Sequence, residues 1–294
     1  MIVNDEMNQK WCIKNKIAQG GFGIIYSAFS ERNDPADQPK VVAKIQPAEE
    51  SHLEIEETVY KSLATSKLSK YYIPVLYASG IGMNRYKEHF RCIIIEQLDT
   101  DLYAFLKQNR RCEDVITTQL ISGLQFIHDH GYSHGDLKVH NVLVNLNNGV
   151  PIFKLADLGL AQSFVDEKND HLPYQINKMQ LHRGTLPFIS EDSHMGVIPS
   201  RRSDLENLGW MLILSIFDIA LPWYLNEKSY EQRNKNKVLE EKQKFKQNID
   251  DGCGPLAYSI PHKLKIFMKQ VFALDYSEKP DYDKLWSVTN YDDK

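Results

Sequence analysis

Apolar residues fall into two regimes along this 294-residue chain. From residue 11 to residue 96 they come in short runs with β-forming side chains. Residues 11–30 carry Ile24, Ile25 and Tyr26 beside a glycine turn, and Val41 to Ile45 is a second short run. A polar turn, Glu31-Arg32-Asn33-Asp34-Pro35-Ala36-Asp37, separates them. Phe90 to Glu96 reads as a further buried strand. Between these strands, Leu53, Glu56, Val59, Tyr60 and Leu63 recur at i, i+3, i+4 spacing and predict a helix over about residues 49–66. Glu56 is the odd member of that face. It is either a boundary residue of the acidic run Glu49, Glu50, Glu54 and Glu57, or the salt-bridge partner of a lysine.

After residue 96 the period changes. Asp101 to Gln108 starts a helix, with Thr100 as its expected N-cap. Residues 113–130 carry the clearest helical pattern, with Ile116, Leu120, Leu124 and Ile127 on one face and Gly131 as the stop. Pro151 to Ala156 reads as a strand. Beyond residue 184 the signals are helical. The apolar run Trp210 to Trp223, interrupted by Ser215, Asp218 and Pro222, predicts a buried helix too short to span a bilayer. Lys235-Asn236-Lys237-Val238-Leu239-Glu240-Glu241-Lys242 reads as a solvated helix face. Strands first and helices after define an α+β protein of two lobes, with a hinge near Glu96-Gln97-Leu98.

Composition narrows the function classes. Hydrophobic residues make up 42% and charged residues 25% of the chain, as in an ordinary globular protein. The net charge of -4 gives no global case for binding nucleic acid or a membrane surface. Cys12, Cys92, Cys112 and Cys253 are scattered, with no Cys-x-x-Cys pair. That argues against a disulfide framework or a zinc site and for a reducing compartment, cytoplasmic or nuclear. The first residues form no secretory signal.

The chemistry concentrates in His134-Gly135-Asp136-Leu137-Lys138-Val139-His140-Asn141 and in Asp157-Leu158-Gly159. An acid, a lysine and an amide share one loop, and a second acid follows after a strand. That set suits phosphoryl transfer from a metal-bound nucleotide. Asp136 would accept the proton of the attacking hydroxyl and Lys138 would neutralise the transferred phosphoryl group. Asn141 and Asp157 would hold magnesium. The glycine turn Gln19-Gly20-Gly21-Phe22-Gly23 would let backbone amides approach phosphates, although a plain hairpin looks the same. Lys44 inside an apolar strand tips the balance, because it makes sense facing phosphates and paired with Glu56. His-Gly-Asp followed by Asn also fits kinases of small molecules, so the loop alone leaves the substrate class open. His128, His130, His134 and His140 cluster at a helix end and in the loop, where structural roles outweigh a metal site.

Taken together, these motifs with Arg183-Gly184-Thr185, Ser200-Arg201-Arg202-Ser203-Asp204-Leu205-Glu206 and Leu221-Pro222-Trp223 resemble the eukaryotic protein kinases. In detail they resemble the casein kinase one group and, within it, the vaccinia-related kinases, over about residues 11–290. The resemblance implies a bilobal kinase fold. An antiparallel-sheet N-lobe with one main helix would cover 11–96 and a larger, mostly helical C-lobe 97–290, together one domain. It implies ATP and magnesium, with manganese as an alternative, and protein substrates, some chromatin-associated by analogy, acted on by a monomer.

The same resemblance assigns individual roles. Lys44 contacts the α and β phosphates and Glu56 positions it. Gly20, Gly21, Phe22 and Gly23 cover the phosphates. Ile17, Ile25, Val42 and Leu143 sandwich adenine, with Ile95 behind it and Glu96 to Leu98 supplying backbone hydrogen bonds. Asp204 bonds the backbone of the catalytic loop. Lys138 and Thr185 are the serine/threonine form of the site. A scaffold without catalysis and a small-molecule kinase are the alternatives, both disfavoured by the complete polar set and by the Ser-Arg-Arg helix start.

Three departures stand out. Ala18 replaces the first loop glycine. Gly135 replaces the arginine that commonly meets an activation-segment phosphate, and Phe164 to Gly184 contains no serine or threonine, Tyr174 being its sole hydroxyl. Activation by serine/threonine phosphorylation in that span is therefore not expected. Ser190-Glu191-Asp192 stands in place of Ala-Pro-Glu, with Asp192 expected to pair with Lys279.

Overall fold

A computed structural model describes residues 2–4, 10–21, 23–31, 39–84, 86–109, 112–146, 149–225, 234–249 and 259–289. The chain divides into two compact units. The first comprises Met1–Asp99 with Ala156–Ala161, and the second Thr100–Leu155 with Gln162–Lys294.

The first unit is built on β1 (Ile2–Asn4), β2 (Lys10–Gly20), β3 (Gly23–Ser30), β4 (Val41–Pro47), α1 (His52–Leu63), α2 (Ser69–Tyr72), β5 (Leu76–Met83) and β6 (His89–Glu96). The strands form one six-stranded sheet in the order β1-β2-β3-β4-β6-β5, antiparallel throughout. Period-two alternation explains its two faces. Trp11, Ile13, Val41, Ala43, Ile45, Phe90, Cys92 and Ile94 share one buried cluster with Val3 and Ala78. Alternation therefore turns Val42 and Lys44 to the opposite face. The face of α1 predicted from spacing is the one that is buried: Leu53, Glu56, Val59, Tyr60 and Leu63. Glu57 departs from the solvated acidic run. It is buried, and its carboxylate accepts from Arg91 at 3.0 Å and pairs with Lys61 at 2.9 Å.

The second unit contains β7 (Thr100–Asp101), α3 (Leu102–Leu106), α4 (Glu113–Asp129), β8 (Tyr132–Ser133), β9 (Val142–Asn145), β10 (Ile152–Leu155) and β11 (Gln162–Ser163). It continues with α5 (Glu191–Met195), α6 (Arg201–Met211), α7 (Pro222–Leu225), α8 (Lys235–Asn248), α9 (His262–Ala273) and α10 (Tyr282–Thr289). Two small sheets, β10-β9-β7 and β11-β8, flank the loop of residues 134–141 that carries candidate residues. The long helix α4 runs through the core. Ile116, Leu120, Leu124 and Ile127 are all essentially inaccessible, each worth roughly 1.5–3 kcal/mol of burial. Helix α3 is capped by Asp101, not by the expected Thr100: the Asp101 carboxylate accepts from Ala104 N–H at 2.7 Å. The expected helix over Trp210 to Trp223 is also corrected. Helix α6 ends at Met211, a single π-helical segment Leu212–Ile216 follows, and α7 begins at Pro222. Among the described residues no helix is long and apolar enough to cross a membrane.

Candidate active site

The first unit holds one group of candidate residues. Strands β2 and β3 close around Gly20 opposite Gly23. Gly23 has φ +132°, and a Cβ there would lie 2.6 Å from the Ile45 carbonyl oxygen, so only glycine fits. Ala18 pairs with Ile25 just after a shift of register between Lys16 and Ala18, within strand β2. Phe22 lies outside the described residues. Gly20 and Gly21 have open space where a side chain would be. Ile17 is exposed, Ile25 and Val42 are half-buried, and Ile95 is buried. At the end of β6 the Gln97 amide is committed to Lys40 O and the Glu96 amide to Val75 O, each at 2.9 Å. Glu96 and Leu98 are half-buried there.

Beneath the turn lies a buried ionic triad. Lys44 Nζ is 2.5 Å from Glu56 Oε2 and 2.7 Å from Asp157 Oδ1. Burial on its own would lower the lysine pKa, but the two carboxylates raise it above the ordinary value, so the ammonium stays charged. Burial raises Glu56, and Lys44 counteracts that only in part. The salt-bridge reading of Glu56 is the one the structure supports. Asp157 adopts φ +61°, ψ 61°, a left-handed conformation uncommon outside glycine. Strain of this kind occurs where a side chain must be aimed at a particular point.

The second unit holds the other group, organised around two aspartates. Asp204, at the start of α6, is buried and accepts hydrogen bonds from His134 N–H at 2.6 Å and Gly135 N–H at 3.0 Å. His128 Nε2 donates to it at 2.9 Å, and Tyr282 O–H donates to His128 Nδ1 at 2.5 Å. Burial would raise Asp204, yet His128 and the loop amides hold it below the usual carboxylate range. Its carboxylate thus fixes the loop that presents Asp136. Gly135 takes φ +78° between these bonded amides.

Asp136 itself is almost inaccessible and fully engaged. Thr185 Oγ1 donates to Oδ1 at 2.6 Å, and Lys138 Nζ donates to Oδ2 at 2.7 Å. Asn141 Nδ2 reaches Oδ2 at 3.2 Å and the Asp136 carbonyl at 2.8 Å. His134 Nδ1 accepts the Asp136 amide at 3.2 Å. Leu143, on β9, is half-buried. His130 and His140 bond Phe126 O and Asp101, respectively. Beside Lys138 and Thr185 opens a groove of about 670 Å³, floored by Pro187, Phe188, Ile216 and Phe217.

Two expectations are overturned here. Asp192 does not pair with Lys279. It takes a two-point fork from Arg202, Nε at 2.9 Å and Nη2 at 2.7 Å, with a third bond from Ser203. Lys279 instead lies at the surface against Asp129 at 2.9 Å. Arginine wins because its planar fork matches the carboxylate and its stem is already anchored on α6. The charged run on α8 is not wholly solvated either, since Val238, Lys242 and Phe245 are buried. Their i, i+4, i+7 spacing was the signal that placed Lys242 on the inward stripe.

A charged lysine held by two acids, together with an aspartate fixed by lysine, amide and threonine, is the polar apparatus of a protein kinase. A model of the protein kinase domain matches residues 11–288. The B1 kinase of vaccinia virus (strain Ankara) is 30% identical, with 97% of this chain and 95% of the viral protein covered. The serine/threonine-protein kinase VRK2 of Homo sapiens is 31% identical over 98% of this chain and 58% of its own length. A solved structure of vaccinia related kinase 3 superposes with a TM-score of 0.81 at 24% identity, covering 98% of this chain and 88% of that one. The chain belongs to the protein kinases and, among them, to the vaccinia-related kinase family of the casein kinase one group. Its sheet-built first unit and helical second unit are the kinase fold.

Proposed function

We propose that this serine/threonine protein kinase transfers the γ-phosphate of magnesium ATP to serine or threonine hydroxyls of proteins, and that it does so without phosphate on its activation segment. The observation that carries this is the state of Asp136. In the unmodified chain its two carboxylate oxygens are already aimed by Thr185 and Lys138. Neither Asp136 oxygen depends on a phosphate for its partner, and Gly135 offers no cation to receive one.

The residues present fit the nucleotide and its metal. Asp157 keeps about a quarter of its side chain accessible and bonds Lys44 through Oδ1. Asn141 turns its Nδ2 to Asp136, which leaves the amide oxygen as a hard ligand. Carboxylate and amide oxygens suit magnesium better than a soft metal. Magnesium, when bound, supplies neutralisation of the phosphate charge. Lys44 takes the α and β phosphates, and Glu56 keeps it aligned. Gly20, Gly21 and Gly23 let the backbone approach the phosphates. Ile17, Ile25, Val42, Ile95 and Leu143 contact adenine, and Glu96 and Leu98 bond its edge. Asp136 Oδ2 accepts the proton of the attacking hydroxyl as its oxygen bonds the γ-phosphorus, while the bond from that phosphorus to the β-phosphate oxygen breaks and ADP leaves with the electron pair. Lys138 offsets the charge on the moving phosphoryl group.

The test is magnesium ATP turnover with casein or histones, beside Asp136→Asn, together with phosphate mapping of the active protein. Full turnover by protein that carries no phosphate in residues 164–184 is expected. Equal incorporation by wild type and Asp136→Asn would sink the assignment of the base.

A further inference from the structure

Helix α8 carries a buried lysine that the phosphoryl-transfer apparatus does not use. Lys242 is 2% exposed. Its Nζ lies 2.5 Å from Ile189 O and 3.5 Å from Leu186 O. It also stands 5.6 Å from the ring centroids of both Trp210 and Trp223. Those two rings meet edge to face at 5.0 Å, so they close an aromatic box around the ammonium.

The segment that Lys242 grips runs from the catalytic carboxylate to the groove. Thr185 bonds Asp136, and the next residues, Leu186 to Ile189, turn back on it. Phe188 N–H and Ile189 N–H both donate to Thr185 O, at 2.8 and 3.1 Å. Three carbonyls of this turn are bonded by side chains of α7 and α8. Lys242 takes those of Leu186 and Ile189, and Trp223 Nε1 takes that of Pro187 at 3.0 Å. With these carbonyls tied down, the turn lines the groove with Pro187 and Phe188.

Burial lowers the Lys242 ammonium below its ordinary value, and a carboxylate on α6 counteracts that only in part. Glu206, buried, is that carboxylate; Glu206 accepts the Glu191 amide at 3.2 Å and Trp210 Nε1 at 3.1 Å. Glu191 in turn receives Gln243 at 2.8 Å and Lys246 at 3.1 Å, both from α8. Asp192 and Arg202 are the other charges around Glu206. A lysine taken out of water at this cost, and bonded to two main-chain oxygens of one turn, has that turn as its purpose.

We propose that Lys242 is a positioning residue for the protein substrate: through the carbonyls of Leu186 and Ile189 it sets the shape of the surface on which the acceptor peptide lies. The proposal rests on the reading of the groove beside Asp136 as the place of a protein substrate. It separates Lys242 from the nucleotide groups, since Lys242 acts on one substrate and not on the other.

The experiment compares wild type with Lys242→Met, which keeps the length of the side chain and removes the ammonium. A second variant, Lys242→Met with Glu206→Gln, avoids leaving an unpaired buried acid. Steady-state kinetics with casein and ATP are combined with amide hydrogen exchange at Phe188 and Ile189. The expected result is a KM for casein at least fivefold higher, with KM for ATP and casein-free ATP hydrolysis within twofold of wild type. Exchange at the two amides should be at least tenfold faster. Unchanged exchange overturns the proposal even if no protein is phosphorylated, a result that would instead strike at the proposed function. A parallel rise in KM for ATP, or failure of both variants to fold, assigns Lys242 to general stability and also overturns it.

Discussion

Thr185 Oγ1 and Asp136 Oδ1 are 2.6 Å apart, which ties the segment ending at Thr185 directly to the carboxylate proposed as the base. Thr185→Val removes the donor and keeps the shape. A hydrogen bond to a charged group is worth about 1.5–3 kcal/mol, so kcat should fall roughly tenfold to a hundredfold. KM for ATP should stay near wild type, and Thr185→Ser should recover most of the rate. Steady-state kinetics check this, and an unchanged kcat in the valine variant would contradict the tie.

Lys44 carries a different kind of risk. Lys44→Met leaves Glu56, 1% exposed, and Asp157 facing each other without their cation. Breaking a buried pair by removing one partner costs about 3–5 kcal/mol. The variant should lose phosphoryl transfer and melt at a visibly lower temperature, whereas Lys44→Met with Glu56→Gln should regain part of the stability and none of the activity. Calorimetry beside an activity assay separates the two effects.

The Asp192–Arg202 fork can be told from the surface pair at Lys279 by substitution. Arg202→Lys keeps the charge but loses the two-point geometry and the bond to Leu274 O at 3.0 Å. A loss of about 1–2 kcal/mol is expected in urea denaturation. Lys279→Ala breaks an exposed pair with Asp129 and should change stability by less than about 0.5 kcal/mol. The reverse ranking would restore the pairing expected from sequence.

His194 makes a prediction about acid. Burial, then the charges of Lys242, His182 and Lys235, push its imidazole down to about 2. The unfolded chain binds this proton below about pH 6.5 and the folded chain does not. The stabilisation is therefore complete above pH 6.5 and is lost progressively as pH falls towards 2. The slope approaches about 1.4 kcal/mol per pH unit for this single group. His182 Nδ1, 3.0 Å from His194 Nδ1, requires one of the two rings to be an acceptor and so works in the same direction. Denaturation of wild type and His194→Gln at pH 7 and pH 5 should show a shallower loss for the variant. Identical slopes would refute it.

Much of this was written in side-chain types. A lysine in an apolar strand and an acid on an apolar helical face are both locally anomalous, and two anomalies of opposite charge explain one another. Asp204 was legible through its Ser-Arg-Arg setting. The partner of Asp192 was not, because spacing alone does not say which of Arg201, Arg202 and Lys279 can reach it; that depends on the angle at which α6 leaves its cap. Lys242 was hidden for another reason. Its neighbours are charged, so the run looks solvated, and only the stripe through Val238 and Phe245 shows that it turns inward. The cap of α3 was misplaced by one residue, the ordinary error at a helix end where Thr100 and Asp101 are both competent.

The fork between Asp192 and Arg202 also bears on how the chain reaches its native state. Its partners are ten residues apart in sequence. A link to Lys279 would close a loop about three doublings longer, at an entropic cost about 2 kcal/mol greater. Helix α5 can therefore lock to the head of α6 as a local contact, before α9 and α10 have docked. In a refolding experiment the Asp192–Arg202 corner should carry high φ-values and Lys279 values near zero, placing the junction of α5 and α6 among the early events of folding.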